Sequence, residues 1–258
     1  MYFTNYTENK ILNTFLGVSF VGVSSTYLEL LTSQPSDDGS GATPVAYSGY
    51  TRQLVAFSVP ASMSGNIGFQ NSAEVVFPQA DADSGTVTWV AVYDSESGGN
   101  MLFYAPLNTP KVIKSGTAPV IRVGEAKFWI TGNFSSSFKT AILNAFKGTT
   151  IAGFTPYATL YNGSPESGGA ELTGGNFARQ QITFSAPAQT ATGQAQISNI
   201  AAVQFPIATV NLGAYSYDAI YDAESAGNLI AFIAGSSDTY SAGDMTQYAI
   251  GSIAISAN

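Results

Sequence analysis

The most informative absences in this sequence are cysteine and histidine, neither of which occurs among its 258 residues. Without a thiol the chain can form no disulfide, no cysteine nucleophile and no thiolate metal site. Without an imidazole it lacks the commonest general base, a Ser-His-Asp triad and the usual nitrogen ligands for metals. We therefore expect a protein that works by contact, with no enzyme activity, no metal and no cofactor.

Charged residues are scarce, and most of them are acidic. Nine Lys and Arg residues against 17 Asp and Glu residues give a formal net charge of −8 and an isoelectric point near 4.3. The basic residues form no cluster, and an acidic surface repels a phosphate backbone, so we expect no nucleic-acid partner. The sequence shows neither a signal-like start nor an apolar run of membrane-spanning length. We therefore expect a soluble, unsecreted chain with no membrane partner.

The chain carries a similar sequence twice. The pattern Tyr-Asp-x-Glu-Ser-x-Gly-Asn begins at Tyr93 and again at Tyr221, which is 128 residues later, and Ile-Leu-Asn recurs between Ile11 and Ile142 with an offset of 131. A period of this length is the size of one ordinary domain, so it predicts two folded copies of one architecture. Small polar residues near position 133 predict the junction. We call residues 1–133 the first copy and residues 134–258 the second copy, and predict one domain in each.

Each copy has the pattern of one helix followed by many short strands. Short segments rich in β-branched and aromatic residues, such as 86–93 and 248–255, are bounded by Gly, Pro, Asn or Ser, and this spacing predicts β-sandwiches. Before them, each copy has an apolar stripe at helical spacing. We expect Asn5 to cap the first helix, and Ser136 or Ser137 to cap the second.

The repeated Tyr-Asp-x-Glu-Ser-x-Gly-Asn segment is the candidate functional motif. Its two carboxylates could bind a cation or serve a glycosidase as acid and base. Alternatively it is a structural turn, in which the aspartate binds turn amides and a glycine supplies a positive φ. Its presence in both copies favours the turn, because a fold needs that turn in every copy. The predicted turn residues are Asp94, Gly99 and Asn100 in the first copy, and Asp222, Gly227 and Asn228 in the second.

Each copy also has one arginine at a matched position, Arg52 and Arg179, two residues after an aromatic side chain. One cation per copy predicts an ion pair that orders a loop. The partner lies either within the domain, with Asp94 and Asp222 as the candidates, or on another subunit. Pairing within the domain is favoured, because a fixed guanidinium commonly orders local loops.

A series of short segments gives the clearest link to known proteins. In the first copy they are ILN (11–13), TYLELLTSQP (26–35), GYTRQ (49–53), NSA (71–73), FP (77–78), VYD (92–94) and SGGNML (97–102), and in the second copy FARQ (177–180) and YDAESAGNL (221–229). In order and spacing, these segments resemble a family of tailed-phage virion proteins that are often labelled tail fibre or head decoration proteins. The resemblance implies a jelly-roll-like β-sandwich that sits on a virus particle and is not an enzyme.

Residue patterns and resemblance together lead to one expectation of fold and function. The expected fold is all-β, with two tandem jelly-roll-like β-sandwich domains that are each preceded by one short helix. We predict a capsid decoration or cement protein on the outer head surface, assembled in the host cytoplasm, whose paired domains bind adjacent sites. Its expected partners are the major capsid protein and copies of itself, and a trimer suits either virion role. The alternatives are a tail fibre, adaptor or host-receptor-binding protein and, third, a glycan-cleaving tail spike.

Overall fold

A computed structural model describes residues 1–257 of the protein, apart from the side chain of Ser236. Its helices are α1 (Asn5–Asn13) and α2 (Ser136–Ala145). Both predicted helices are present, but their caps lie earlier than expected. Thr4 precedes α1 without a side-chain cap, and the Ser135 hydroxyl caps α2 by accepting the Phe138 N–H at 3.1 Å. Within these described residues, no helix is long and apolar enough to cross a bilayer.

The first copy forms a five-stranded, a three-stranded and a two-stranded sheet, all antiparallel. Its strands are β1 (Tyr2–Phe3), β2 (Tyr27–Leu31), β3 (Gln53–Leu54), β4 (Ala61–Met63), β5 (Asn66–Gln70), β6 (Val75–Val76), β7 (Thr86–Tyr93), β8 (Met101–Val112), β9 (Val120–Ile121) and β10 (Lys127–Ile130). The sheet orders are β1-β8-β7-β2-β3, β10-β5-β4 and β6-β9.

The second copy repeats this pattern with few changes. Its strands are β11 (Tyr157–Asn162), β12 (Ala170–Glu171), β13 (Gln180–Gln181), β14 (Ala188–Gln189), β15 (Ala195–Ser198), β16 (Val203–Gln204), β17 (Gly213–Tyr221), β18 (Leu229–Tyr240), β19 (Gln247–Tyr248) and β20 (Ala254–Ser256). The sheet orders are β12-β11-β17-β18, with β13 also on β11, then β14-β15-β20 and β16-β19. Phe134 pairs with Ala231 just as Phe3 of β1 pairs with Phe103 of β8.

The chain is all-β, but the expected pair of tandem jelly-roll sandwiches is wrong. The chain forms a four-blade β-propeller arrangement instead. Short strands separated by frequent turns are common to sandwiches and propellers. Their spacing therefore predicts the strand content correctly, but it does not reveal how the sheets surround the core.

The helices join the two copies, because each packs against strands of the other. Helix α1 contacts β15 and β20 of the second copy, and α2 contacts β5 of the first. The aromatic residues after the helices do the same: the ring centroid of Phe15 lies 5.9 Å from that of Phe184, and Phe146 lies 4.8 Å from Phe103. Buried apolar residues of both copies form one continuous core. The sequence boundary at residue 133 therefore separates two repeats whose cores are joined.

The contact between the copies has an internal two-fold character. Phe20 and Ile151 occupy matched positions, and the backbone N–H of each donates to the carbonyl of the other at 2.9 Å. Such a contact, in which a residue meets its own counterpart, is the signature of an isologous interface. A second reciprocal pair of hydrogen bonds, both 3.2 Å long, joins Gly22 N to Thr150 Oγ1 and Gly153 N to Ser19 Oγ.

Candidate functional site

In the first copy, the predicted arginine lies at the centre of a loop cluster. The Arg52 Nε donates to Glu29 Oε1 at 3.2 Å, and its Nη1 donates to the carbonyls of Ser95 and Gly98 at 3.2 and 2.6 Å. Its guanidinium carbon lies 3.2 Å from the ring centroid of Tyr93. One side chain therefore ties β2, the end of β7 and the following turn together through an ion pair, a cation–π contact and two carbonyl bonds.

The second copy builds the same cluster around Arg179. Two of its nitrogens hold Glu171 in a bidentate pair, with N–O distances of 2.7 and 2.9 Å. Its Nη1 donates to the carbonyls of Ala223 and Ala226 at 3.0 and 2.6 Å, and its guanidinium carbon lies 3.5 Å from the Tyr221 ring centroid. The two copies therefore share the arginine, the aromatic ring and the pair of turn carbonyls.

The aspartates of the motif hold the turn itself. The two oxygens of Asp94 accept the backbone N–H and the side-chain amide of Asn100 at 2.7 and 2.8 Å. Asp222 accepts the same two groups of Asn228 at 2.6 and 2.7 Å. Gly99 and Gly227 have φ values of 67° and 71°, and a Cβ on either residue would overlap the neighbouring aspartate oxygen. The turn therefore requires glycine at that position in both copies.

The arginine partners differ from those expected. Asp94 and Asp222 are engaged within their turns, and the ion pairs are made by Glu29 and Glu171, within the chain. Position 159, which matches Glu29 at an offset of 130, is Thr159, and its hydroxyl donates to Glu171 Oε1 at 2.7 Å.

A sequence comparison of the two copies does not identify the two glutamates as counterparts. Glu29 lies on β2, whereas Glu171 lies on β12. Burial alone would raise the pKa of Glu171, but hydrogen bonds from Arg179 and Thr159 outweigh it and keep that pKa below its usual range. A carboxylate is therefore required beside the arginine, although its position in the sequence is free to change.

The side chains of this repeated cluster hold loops in place. The acid–base hypothesis needs carboxylates that face a substrate, whereas Asp94 and Asp222 face their own turns. The segment Asp81-Ala82-Asp83-Ser84-Gly85, whose sequence resembles the start of a calcium-binding loop, is likewise engaged locally, since Asp83 pairs with Lys114 at 2.7 Å. Over the described part of the chain, no group of three or more Asp and Glu residues is placed to hold a metal ion.

The second copy contains a cleft of about 280 Å³. It lies between the core face of the β11-β17-β18 sheet and strand β20, and its inner wall includes Ile220, Ala231 and Ile255. At the mouth of the cleft, Ile233 is 52% exposed, whereas its counterpart Ala105 in the first copy is 4% exposed. The sheet face that is covered at this position in the first copy is therefore exposed at the same position in the second.

The cleft exists because phenyl rings of the first copy are replaced by smaller side chains. Phe103 and Phe128 are fully buried, and their ring centroids lie 5.0 Å apart. Their counterparts at offsets of 128 and 127 are Ala231 and Ile255. A protein core normally fills its volume as densely as an organic crystal, so the lost ring volume leaves a space.

The cleft also gains two polar groups that the first copy lacks. Asp218 and Tyr248 line it, and the Tyr248 hydroxyl donates to Asp218 Oδ1. The matching residues of the first copy, Val90 and Ile121, are apolar and fully buried. Burial raises the pKa of Asp218 above its usual range, and the bond from Tyr248 opposes that shift.

The sequence prediction missed this cleft, although a signal for it was available. Aligning the copies pairs buried apolar residues of one with small or polar residues of the other, and these differences coincide in space. The paired positions are Val90 with Asp218, Phe103 with Ala231, Ile121 with Tyr248 and Phe128 with Ile255.

Comparison with known proteins agrees with the internal duplication. The family described as "Podophage GP4 fiber I protein gp80" matches the chain twice, over residues 2–128 and again over residues 133–256. No curated protein matches the chain. The family is a phage fibre family, which supports a virion structural protein and gives no support to a decoration or cement role. Because the two matches span almost the whole sequence, this chain belongs to the podophage GP4 fiber I protein gp80 family.

Proposed function

We propose that this chain is a non-enzymatic component of a podophage tail fibre, acting through contacts with neighbouring virion proteins. The observation that carries the proposal is the double match to a fibre family, which covers both copies. Its partners are then other tail proteins and further copies of itself. The fibre or adaptor alternative thus replaces the capsid decoration protein as the favoured function.

The architecture supports a mechanical role in the fibre. Helices that pack against strands of both copies, the shared core and the reciprocal backbone bonds at Phe20 and Ile151 join the two repeats into one body. A fibre component must transmit force between its neighbours, and a body with one core deforms less than two domains on a flexible linker. The arginine clusters add to this by fixing the turns that follow β7 and β17.

The engagement of the motif carboxylates favours a binding protein over a glycan-cleaving enzyme. A retaining or inverting glycosidase needs two carboxyl groups about 5 to 10 Å apart across a sugar. Here Asp94 and Asp222 hold asparagine amides, while Glu29 and Glu171 hold arginines. We therefore propose that the chain binds without turnover.

Localisation on the intact particle tests the proposal. We would insert a short epitope tag at the exposed turn around Gly116, label purified virions with a gold-conjugated antibody, and image them by electron microscopy. Untagged virions, and virions tagged on the major capsid protein, serve as negative and head-label controls. Gold confined to the tail is the expected result. Gold distributed over the head would overturn the fibre assignment and restore the capsid protein as partner.

Copy number gives an independent test. A fibre component is expected in few copies per particle, whereas a cement protein is present at the number of capsid subunits or a simple fraction of it. Quantitative mass spectrometry of purified virions, calibrated against the major capsid protein, measures this ratio. A ratio near one, or near a simple fraction of one, would contradict the fibre proposal.

A further inference from the structure

The cleft of the second copy has the properties of a small-ligand site. Pockets that bind small molecules are mostly apolar, carry a few well-placed polar groups, and have volumes from roughly 300 Å³ upward. This cleft, at about 280 Å³, lies near the lower end of that range. Its inner wall is apolar, and the polar residues that line it are Asp218, Tyr248, Asn133, Thr159, Ser252 and Ser256, of which Asp218 is the one carboxylate. Its size indicates one ring, not an extended chain.

The first copy shows which shape fits this space. On the same backbone, the region that faces Ala231 and Ile255 is filled in the first copy by the rings of Phe103 and Phe128. The two sheets that carry these residues are paired in matching registers, with Phe128 opposite Phe69 and Ile255 opposite Ile197. A six-membered aromatic ring is therefore the group that this fold accommodates there.

The wall of the cleft adds a requirement for a hydrogen-bond donor. Among the described residues, Tyr248 is the one side chain that donates to Asp218, and it reaches Oδ1, so no described side chain donates to Oδ2. A carboxylate accepts hydrogen bonds and repels anions, and the negative charge of the whole chain acts in the same direction. The favoured ligand is thus a neutral ring that carries a hydroxyl group.

We infer that the cleft binds a phenol-type ring, with the ring in the space left by the missing phenyl groups and the hydroxyl donating to Asp218. A free phenolic molecule and a tyrosine side chain of a neighbouring protein share this chemistry. The inference does not depend on the tail location, because the cleft is a property of the chain itself.

The first experiment titrates the intact protein with p-cresol and toluene while methyl NMR spectra are recorded. We expect p-cresol at millimolar concentration to shift the methyl resonances of Ile220, Ala231 and Ile255. Toluene has the same shape without the hydroxyl, so it should bind about tenfold more weakly, as expected for losing one bond to a charged acceptor. N-acetyl-tyrosinamide separates the two sources: binding comparable to p-cresol indicates that a tyrosine side chain can enter, and p-cresol binding alone indicates a free ligand.

The chain supplies its own control variants. Ala231→Phe introduces the phenylalanine that the first copy has at the matching position, Phe103, and should abolish binding of both p-cresol and toluene. Asp218→Val restores the residue of Val90 and should remove the preference for p-cresol over toluene while toluene still binds. Circular dichroism and thermal melts verify that each variant folds. If Ala231→Phe does not fold, Ile255→Phe takes its place, because Phe128 is the counterpart of Ile255 in the first copy.

Two results would overturn the inference. One is the absence of methyl shifts in the cleft of the unmodified protein at millimolar p-cresol. The other is unchanged p-cresol binding in a folded Ala231→Phe or Ile255→Phe variant, which would place the ligand elsewhere. Should neither filled variant fold, the methyl map of the unmodified protein decides alone, since shifts confined to Ile220, Ala231 and Ile255 locate the ligand directly. None of these results depends on where the chain lies in the virion.

Discussion

At the scale of single residues, Glu8 shows how a helical residue can serve the opposite copy. Its Oε2 accepts the buried backbone N–H of Ala195 in the second copy at 2.7 Å, and the side chain is almost fully buried. The spacing of Asn5 and Glu8 in the sequence predicts instead a capping box at the start of their own helix. Burial first, and the nearby charge of Asp37 as well, raise the pKa of Glu8 to about 7, although the Ala195 bond opposes the shift.

This raised pKa predicts a pH-dependent stability. Between the ordinary value of 4.5 and about 7, folded Glu8 binds more protons than unfolded Glu8, so the free energy of unfolding contributed by this group falls as the pH rises. Glu8→Gln keeps an acceptor for Ala195 but cannot ionise. At pH 8 it should therefore unfold with a free energy about 1 to 3 kcal/mol higher than the unmodified protein.

Urea unfolding at pH 5 and pH 8 measures the Glu8 effect. The exposed Glu74→Gln substitution, which also removes one carboxylate, is the matched control and should change the pH dependence little. Equal pH dependence in the Glu8→Gln variant and the unmodified protein would show that Glu8 is not the responsible group.

The glycines of the repeated turn give a second prediction at residue scale. Gly98 and Gly99 both have positive φ, but a Cβ on Gly98 would meet open space, whereas one on Gly99 would overlap Asp94 and lie 2.6 Å from Ser95 Cβ. The second copy already has Ala226, at a φ of 55°, where the first has Gly98. Gly98→Ala should therefore cost about 1 kcal/mol of stability, and Gly99→Ala about 2 to 4 kcal/mol.

Thermal or urea unfolding of these two variants separates backbone strain from steric overlap. Both variants carry the strain of a left-handed alanine, so the difference between them reports the overlap with Asp94. Equal costs for Gly98→Ala and Gly99→Ala would mean that the turn relaxes freely and that Asp94 does not require glycine beside it.

At the scale of elements, the closest approach between the copies is made by glycines. Gly22 lies against the backbone of Gly148, and Gly153 lies against that of Gly17, so that a Cβ on either Gly22 or Gly153 would overlap main-chain atoms. Backbone atoms cannot move aside as the end of a side chain can. This close approach joins the segments that follow the two helices.

Alanine at Gly22 or Gly153 should therefore destabilise the protein by about 2 to 3 kcal/mol each. Gly116→Ala, at a turn with open space around it, is the control and should cost only the strain of its positive φ, about 1 kcal/mol. Chemical unfolding measures all three variants. If Gly22→Ala and Gly153→Ala are no worse than Gly116→Ala, the copies do not need this close approach.

The sequence predicts helices and strands correctly where a local residue pattern determines them. The helices near Ile11 and Ile142, and the strands at residues 86–93, follow from apolar periodicity and residue type. It failed where the determinant is a distant partner. Nothing in the local pattern of α1 shows that it packs on β15, more than 180 residues away. The sequence pattern therefore predicted two separate sandwich domains.

The same distinction between local patterns and distant partners applies to the candidate site. Arg52, Arg179 and the Asp-Gly-Asn turns were found because they recur at a fixed spacing, and repetition is visible in the sequence. Glu29 and Glu171 were missed because they occupy unmatched positions and meet matched arginines only in three dimensions.

At the scale of the whole molecule, the chain behaves as a dimer made within one polypeptide. Matched residues of the two copies pair with each other, each helix packs against strands of both copies, and one core runs through both. Duplication lets one copy keep the closed core while the other diverges, which is how the Asp218 cleft could appear without loss of the fold. The repeated features then serve the structure, and the unrepeated cleft is where a ligand would bind.

The account rests on the two copies forming a single cooperative body, and differential scanning calorimetry of the intact chain tests this most directly. One transition, with a calorimetric enthalpy equal to the van't Hoff enthalpy, is the predicted result, because neither copy keeps its core when the other unfolds. Two resolved transitions, each with about half of the total enthalpy, would contradict the account by showing that the repeats unfold independently.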